Sequence, residues 1–321
     1  MQQLIFEILA LLAGFTFLSR GADALVDGGV ALARRWGLEP TVIGLTVIAW
    51  GTSMPEIVVS GYAAWVGKAG ASIGTVLGSN VANIGLVLGV TATILPAVLR
   101  GGAQLRDGIW LLASLGLLAG LTWDGTITRI DAGILLAAFL IYEVMLFVGP
   151  GSGSSAPDDT AEAVTPEVVK PFRAVLLGSV VIAVGARAVM YGGEGLALRL
   201  GIPPTVVGLT VFAIGTSLPE LAAGIGSARR GHAGIGLGNV IGSNLFNTLA
   251  VMGVAGLVKP IALVPSEVQS CQIRDLPTTL GFSIALLVLP FALKGKGRAQ
   301  AVLLLAGYVA YVSSLVLQGR I

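Results

Sequence analysis

Glu56 and Glu220 are the residues whose chemistry stands out, because each lies inside a long apolar stretch and within the same local sequence. The first stretch reads Gly44-Leu-Thr-Val-Ile-Ala-Trp-Gly-Thr52-Ser53-Met-Pro55-Glu56 and the second Gly208-Leu-Thr-Val-Phe-Ala-Ile-Gly-Thr216-Ser217-Leu-Pro219-Glu220. A lone carboxylate in the middle of a membrane helix costs at least about 2.5–3.5 kcal/mol, and a cost that occurs twice implies a function that needs two. Each Gly-Thr-Ser-x-Pro-Glu segment carries two hydroxyls within about a turn of the Glu, and a Pro that removes a backbone donor and frees a carbonyl. Broken backbone is therefore expected here in both copies. Carboxylates, hydroxyls and free carbonyls are hard oxygen ligands of the kind Ca²⁺ takes six to eight at a time, at about 2.3–2.6 Å, and Na⁺ accepts the same set. Further along, Gly78-Ser79-Asn80-Val-Ala-Asn83 and Gly242-Ser243-Asn244-Leu-Phe-Asn247 supply more. Residues four apart share a helical face, so Ser79 with Asn83, and Ser243 with Asn247, are expected to aim at the glutamates. The predicted site is a cage with two negative charges and no histidine or thiolate.

The repeat is wider than the motif. One offset relates Gly21-Ala22 to Gly185-Ala186, Gly28-Gly29 to Gly192-Gly193 and Pro40-Thr41-Val42 to Pro204-Thr205-Val206, and a single register runs over Gly21–Gly89 and Gly185–Gly253. Small and hydroxyl residues on membrane helices usually serve close packing, which accounts for any one of these positions but not for a carboxylate in each copy. Glu7, Asp23, Asp27, Glu143, Arg187 and Glu194 also lie in or near apolar runs without a like charge in the other copy, and read as gating, interfacial or paired residues. Thr75 stands where the first copy would match Asn239.

The elements that must position these residues follow from composition. The chain has 321 residues, 55% hydrophobic and 11% charged, far below the roughly 25% charge of soluble domains. An all-α, multi-pass membrane protein follows. With about 20 residues needed per crossing, spans are expected near 3–33, 41–65, 71–95, 108–123 and 131–148, then 169–199, 205–228, 234–258, 275–293 and 300–318. The first lacks a basic leader and a cleavage site and is taken as retained. Residues 149–168, rich in Gly, Ser, Pro and acid, read as a flexible linker between a first repeat at 1–148 and a second at 169–321. Loops after odd-numbered spans hold eleven Lys and Arg against six on the other side. That bias places the linker in the cytoplasm and both termini outside it. Five spans per half is an odd number, so the halves insert in opposite senses about an axis in the membrane plane, and Glu56 should meet Glu220.

With its paired Gly-Thr-Ser-x-Pro-Glu and Gly-Ser-Asn motifs (44–89 and 208–253), the chain resembles a prokaryotic sodium/calcium exchanger of the cation/calcium exchanger superfamily. The resemblance covers nearly the whole chain and implies an inner or plasma membrane antiporter working by alternating access. It also implies that Glu56 and Glu220, with the carbonyls of Thr52 and Thr216, hold Ca²⁺. Na⁺ would use Ser53, Ser79, Ser217, Ser243, the same Thr and Glu oxygens and the carbonyls of Ala49 and Ala213, while Asn83 and Asn247 line the centre. In the potassium-dependent branch an aspartate occurs where this chain has Asn247, so K⁺ dependence is not expected. The family attributes access to sliding of the long first and sixth helices, whose Gly28-Gly29 and Gly192-Gly193 pairs would allow close contact.

Two carboxylates neutralise one Ca²⁺, whereas the three Na⁺ that the family implies leave one charge over, so transport should be electrogenic. A Ca²⁺/H⁺ antiporter on the same fold is the nearest rival, since glutamates can carry protons, and a cation channel is a more distant one. An enzyme is not expected: His232, the lone histidine, sits in the Arg229-Arg230-Gly231 loop, where a solvated position is anticipated. Cys271, the lone cysteine, excludes an internal disulfide. A net charge of +2, scattered, points to no nucleic acid. No cofactor and no protein partner are implied beyond the transported Ca²⁺ and Na⁺ and the lipid bilayer.

Overall fold

In a bilayer every backbone polar group must find its partner within the segment, and the chain is helical almost throughout. The computed structural model describes residues 2–99, 105–148, 171–200 and 215–317. Ten helices appear among them: α1 (Gln2–Trp36), α2 (Pro40–Trp65), α3 (Ala69–Ile94), α4 (Leu105–Leu121), α5 (Arg129–Val148), α6 (Pro171–Arg199), α7 (Leu218–Arg229), α8 (Ala233–Val258), α9 (Pro265–Ala292) and α10 (Gly297–Leu317). Eight are long and apolar enough to cross a membrane. The exceptions are α4, whose 17 residues reach about 25 Å at about 1.5 Å each, and α7, which follows undescribed positions. The linker 149–168, the start of the expected span at 205 and Ala213 lie outside the described residues.

Helix α9 begins ten residues before the expected 275. Pro265 opens it, and the Glu267 side chain accepts from the Val264 N–H at 3.0 Å, which fixes the N-terminus there. The expectation of purely helical structure also yields at one point. Thr126–Ile127 (β1) pairs antiparallel with Ile261–Ala262 (β2), tying the loop after α4 to the loop after α8. Gly125, at φ +83°, makes the turn into that ladder.

Burial sorts the helices. In α8 89% of the most apolar window is buried, against 22% in α1, so α8 runs through the centre with α2 and α3 while α1 and α6 lie outside. Single π-helical turns interrupt α2 (Gly44–Ile48), α3 (Asn83–Leu88), α8 (Phe246–Val251) and α9 (Cys271–Asp275). Those in α3 and α8 fall at matching places in the two repeats. Such turns leave backbone groups out of the regular ladder and concentrate at functional sites.

The outer helices α1 and α6 pack antiparallel along a seam of glycines spaced by seven. Gly14 faces the Gly185 carbonyl, Gly21 the Gly178 carbonyl and Gly28 the Pro171 carbonyl, and Gly192 faces the Glu7 carbonyl. A Cβ at any of these would stand 2.5–2.9 Å from backbone oxygen, so only glycine allows this approach. Each repeat contributes three glycines at equivalent positions, and the contact of Gly14 with Gly185 exchanges into that of Gly178 with Gly21. This is the signature of a two-fold relation between inverted repeats. The expected glycine pairs divide differently: Gly29 turns toward Ile43 and Ile48, and Gly193 meets no described atom within 4 Å.

Candidate cation-binding site

Four helices converge on the two glutamates: α2 and α3 from the first repeat, α7 and α8 from the second. Both side chains are completely buried, as are Thr52, Ser53, Ser243 and Asn247. Ser53 of α2 donates to Glu220 Oε1 of α7 at 2.7 Å. Asn83 Nδ2 donates to Asn244 Oδ1 at 3.1 Å and Asn80 Nδ2 to Thr248 Oγ1 at 2.8 Å, both from α3 to α8. The Thr52 hydroxyl stands 3.2 Å from the Ala49 carbonyl and from Asn239 Oδ1, and Asn239 Nδ2 lies 3.5 Å from the Glu220 carbonyl. Within the site, the four side-chain contacts that cross between the halves, Ser53–Glu220, Asn83–Asn244, Asn80–Thr248 and Thr52–Asn239, all join residues of the duplicated segments.

What is left unpaired is as telling. Both oxygens of Glu56 lack a partner, and so do Glu220 Oε2, Ser217 Oγ, Ser243 Oγ, Asn80 Oδ1, Asn83 Oδ1, Asn244 Nδ2 and both amide atoms of Asn247. Outside this cluster only Glu143 Oε2, Arg274 Nη1 and Gln300 Oε1 are in that state among the described residues. Buried polar atoms are satisfied in the large majority of cases, and each exception calls for an explanation. Here they are concentrated, mostly oxygen, and arranged around two carboxylates. No group of three or more Asp, Glu, His or Cys residues comes together among the described residues. A cation entering here would meet two charges and otherwise neutral oxygens.

The two-fold relation breaks at the ligands. Ser53 donates to Glu220, but the hydroxyl of its counterpart Ser217 makes no hydrogen bond, and the side chain beside Glu56 is Ser79 instead. Asn239 reaches Thr52, whereas Thr75, its counterpart, turns its hydroxyl back to the Ala71 carbonyl at 2.8 Å. The backbone differs too. The expected break occurs only in the second copy, where Thr216 and Ser217 form a turn and α7 starts at Leu218. In the first copy Ala49–Trp65 is continuous helix with Pro55 inside it. Pro55 still withholds a donor from the carbonyl four residues back, that of Gly51.

Of the residues singled out in the sequence, Glu56, Glu220, Ser53, Ser79, Ser243, Asn83 and Asn247 are buried in these four helices and Ser217 is buried in the turn before α7, with the Ala49 carbonyl beside Thr52. Thr216 is half-buried in the turn before α7. Asn80, Asn239 and Asn244 complete the cluster; Asn80 and Asn244 stood in the quoted motif, and Asn239, noted only as the residue that Thr75 fails to match, stands four residues before Ser243 on the same helical face. Beside the site a cleft of about 200 Å³ opens between α1 and α7, lined by Phe15, Leu18, Asp23, Leu218, Leu221 and Arg229. The other charges are mostly paired. Arg199 grips Glu7, with Nη2 at 3.1 Å from Oε1, and Arg230 forks onto Asp23 and Asp27 at 2.6 and 2.7 Å. Arg187 and Glu194 are exposed on α6. His232, expected in solvent, is 7% exposed, because the loop folds its N–H back to the Ser227 carbonyl at 2.9 Å.

The family profile described as "Sodium/calcium exchanger protein" matches residues 6–148 and 171–317. The chain belongs to the sodium/calcium exchanger family. Among its relatives is sodium/calcium exchanger MaX1 of Methanosarcina acetivorans, 30% identical over 347 residues that cover 95% of this chain and 97% of the relative. The putative antiporter CaxA of Alkalimonas amylolytica is 33% identical, covering 94% and 95%. The exchanger NCX_Mj, solved after soaking with zero Na⁺ and Ca²⁺, superposes with a TM-score of 0.80 at 31% identity, over 97% of this chain and 99% of that one. These matches make this exchanger-family chain a cation/calcium antiporter, helical and multi-pass, with the two-repeat fold. Membership in a transporter family sets it apart from catalytic enzyme classes.

Proposed function

We propose that the protein exchanges Na⁺ for Ca²⁺ by alternating access at the Glu56–Glu220 site, electrogenically and without K⁺. The observation that carries this reading is the set of unpartnered oxygens around two fully buried carboxylates contributed by both repeats. An ion satisfies at once the groups that no side chain satisfies. Ca²⁺ takes Glu56 and Glu220 with the carbonyls of Thr52 and Thr216. Na⁺ takes flanking places at Ser53, Ser79, Ser217, Ser243 and the carbonyls of Ala49 and Ala213, with Asn83 and Asn247 lining the centre. One Ca²⁺ brings the pair of carboxylates to neutrality and can cross a medium of low dielectric, whereas the empty, doubly negative site resists crossing. That difference enforces exchange over leak. The preference for Na⁺ over H⁺ as the coupling ion is supported by the neutral Ser and Asn oxygens, for which proton exchange has no use.

The working units in this reading are repeats 1–148 and 169–321, joined by a cytoplasmic linker at 149–168, with both termini on the other side of a prokaryotic inner or plasma membrane. The excess of Lys and Arg in the loops on the linker's side supports that orientation.

The test is radiolabelled Ca²⁺ uptake into proteoliposomes loaded with Na⁺, K⁺ or choline, or given a pH gradient alone. Uptake should require outward Na⁺, respond to membrane potential and vanish in Glu56→Gln and Glu220→Gln. Uptake driven by the pH gradient with Na⁺ irrelevant would replace the proposal with proton antiport, and uptake without any counter-gradient would make the protein a channel.

A further inference from the structure

A third buried carboxylate lies outside the exchange site. Glu143 of α5 is 7% exposed; its Oε1 accepts a hydrogen bond from Trp50 Nε1 at 3.3 Å, and its Oε2 has no partner. Nothing in the proposed exchange uses it. A carboxylate held in an apolar helix by a single neutral donor is costly to keep, so its position needs a reason.

Trp50 supplies one. It lies directly after Ala49 and two residues before Thr52, in the turn of α2 that presents the first repeat's ligands. Its ring stands 6.1 Å from that of Phe139 on α5 and 6.5 Å from that of Phe246, and the latter two rings meet edge-on at 5.5 Å. Phe246 opens the π-helical turn of α8, and the next residue is Asn247. The indole thus touches the ligand-bearing segments of both repeats, and Glu143 holds it from a wall helix that gives no ligand.

The device exists in one half only. Gly253 packs on Leu136 and the Ala132 carbonyl as Gly89 packs on Leu305 and the Ala301 carbonyl, which aligns α5 with α10 and makes Val312 the counterpart of Glu143. Trp50 corresponds to Ile214. Donor and acceptor are both replaced by aliphatic residues in the second repeat, so the pair is present or absent as a unit. The second repeat instead has the Ser53 bond fixing its glutamate.

We infer that Glu143 is a positioning residue for the cation site: it orients the Trp50 indole, and through it the Ala49–Ser53 turn and the Phe246–Asn247 step, for ion binding. This rests on the cation site described above. The test compares Trp50→Phe, Glu143→Leu, Glu143→Gln and the double variant Trp50→Phe/Glu143→Leu. Two quantities are read: KM and maximal rate of Ca²⁺ uptake in proteoliposomes, and the rise in melting temperature of the purified protein on adding Ca²⁺. Trp50→Phe keeps an aromatic ring but loses the indole donor together with part of the ring's bulk, so Glu143→Leu, which leaves the indole and its contacts with Phe139 and Phe246 in place, is read beside it as the packing control. It and Glu143→Leu should each raise KM about tenfold and shrink the Ca²⁺-induced stabilisation, with the maximal rate within about twofold. The double variant should be no worse than either single one. Glu143→Gln, whose amide oxygen still accepts the indole N–H, should recover most of the affinity.

Unchanged KM in Trp50→Phe overturns the inference, and so does a double variant whose losses add. A Glu143→Gln variant as impaired as Glu143→Leu also overturns it, because charge rather than the bond would then be at work. Variants that melt lower without Ca²⁺ but keep its full stabilisation and KM reduce Glu143 to a structural residue. Wild-type protein neither transporting nor stabilised by Ca²⁺ overturns the functional reading and the positioning role with it, an outcome distinct from a working wild type whose variants are unaffected.

Discussion

Two adjacent glycines on α6 should respond to the same substitution with opposite signs. A Cβ on Gly192 would meet the Glu7 carbonyl oxygen at 2.5 Å, Leu11 Cγ at 2.7 Å and the Leu11 nitrogen at 3.0 Å. Two of these atoms belong to the α1 backbone and cannot rotate away. Ordinary contact begins near 3.4 Å, so the helices must part locally by roughly 1 Å, a gap that forfeits a quarter to a half of each neighbouring dispersion contact. Overpacking of this kind costs about 1–3 kcal/mol. A Cβ on Gly193 meets no described atom within 4 Å. Both substitutions to Ala gain the same helix propensity, about 0.8–1.0 kcal/mol, which cancels between them. Gly193→Ala should therefore melt at or above wild type, and Gly192→Ala should be less stable than Gly193→Ala by about 1–3 kcal/mol. Melting curves of the two detergent-purified variants, run side by side with wild type, measure this directly. Equal melting temperatures, or Gly193→Ala as the weaker protein, would refute the close approach of α1 and α6 at this level.

Two further outcomes follow from the asymmetry of the site and from the ion pairs. In chelator without Na⁺, Ser53→Ala removes the donor to Glu220 and should lower stability by about 1.5–3 kcal/mol, while Ser217→Ala, which breaks no bond, should melt like wild type; equal losses would contradict the asymmetry. Arg199→Met strands Glu7, whose side chain is 3% exposed, whereas Arg230→Met leaves Asp23 and Asp27 at 41% and 38% exposure within reach of water. Arg199→Met should give the larger fall in melting temperature, and the reverse order would mean that Glu7 is neutralised by other means.

The repeat made most of the architecture and the glutamates readable. A bilayer forces apolar length on every span and forbids idle charge, so Glu56 and Glu220 announce themselves, and equal spacing places Ser53, Ser79, Asn83 and their counterparts beside them. What the chain hides is where the copies diverge. Asn239 bonds Thr52 from a position that Thr75 leaves blank in the first repeat. Glu143 finds its partner in a tryptophan 93 positions away, with no charge to suggest the pairing. The continuous helix through Pro55 was masked because the same motif breaks in the second copy, and context outside the motif decides which. The seam of α1 and α6 was legible in principle, since Gly14, Gly21 and Gly28 recur every seven residues as Gly178, Gly185 and Gly192 do. Neighbouring glycine pairs drew attention from that period.

The glycine seam bears on energy as well as on shape. Because its contacts exchange into one another under the two-fold relation, displacing the α1–α6 pair one way along the core is energetically the mirror image of displacing it the other way. If access alternates as proposed, the seam by itself would give two facing states of equal energy. Any tilt must come from parts that have no mirror, and the ion pairs are of that kind: the counterparts of Glu7 and Arg199 are Pro171 and Arg35, and that of Arg230 is Val66. Under the alternating access proposed above, the charges at the helix ends would be one source of tilt beside the unequal ligands, and one that can be altered without touching the ions' own ligands.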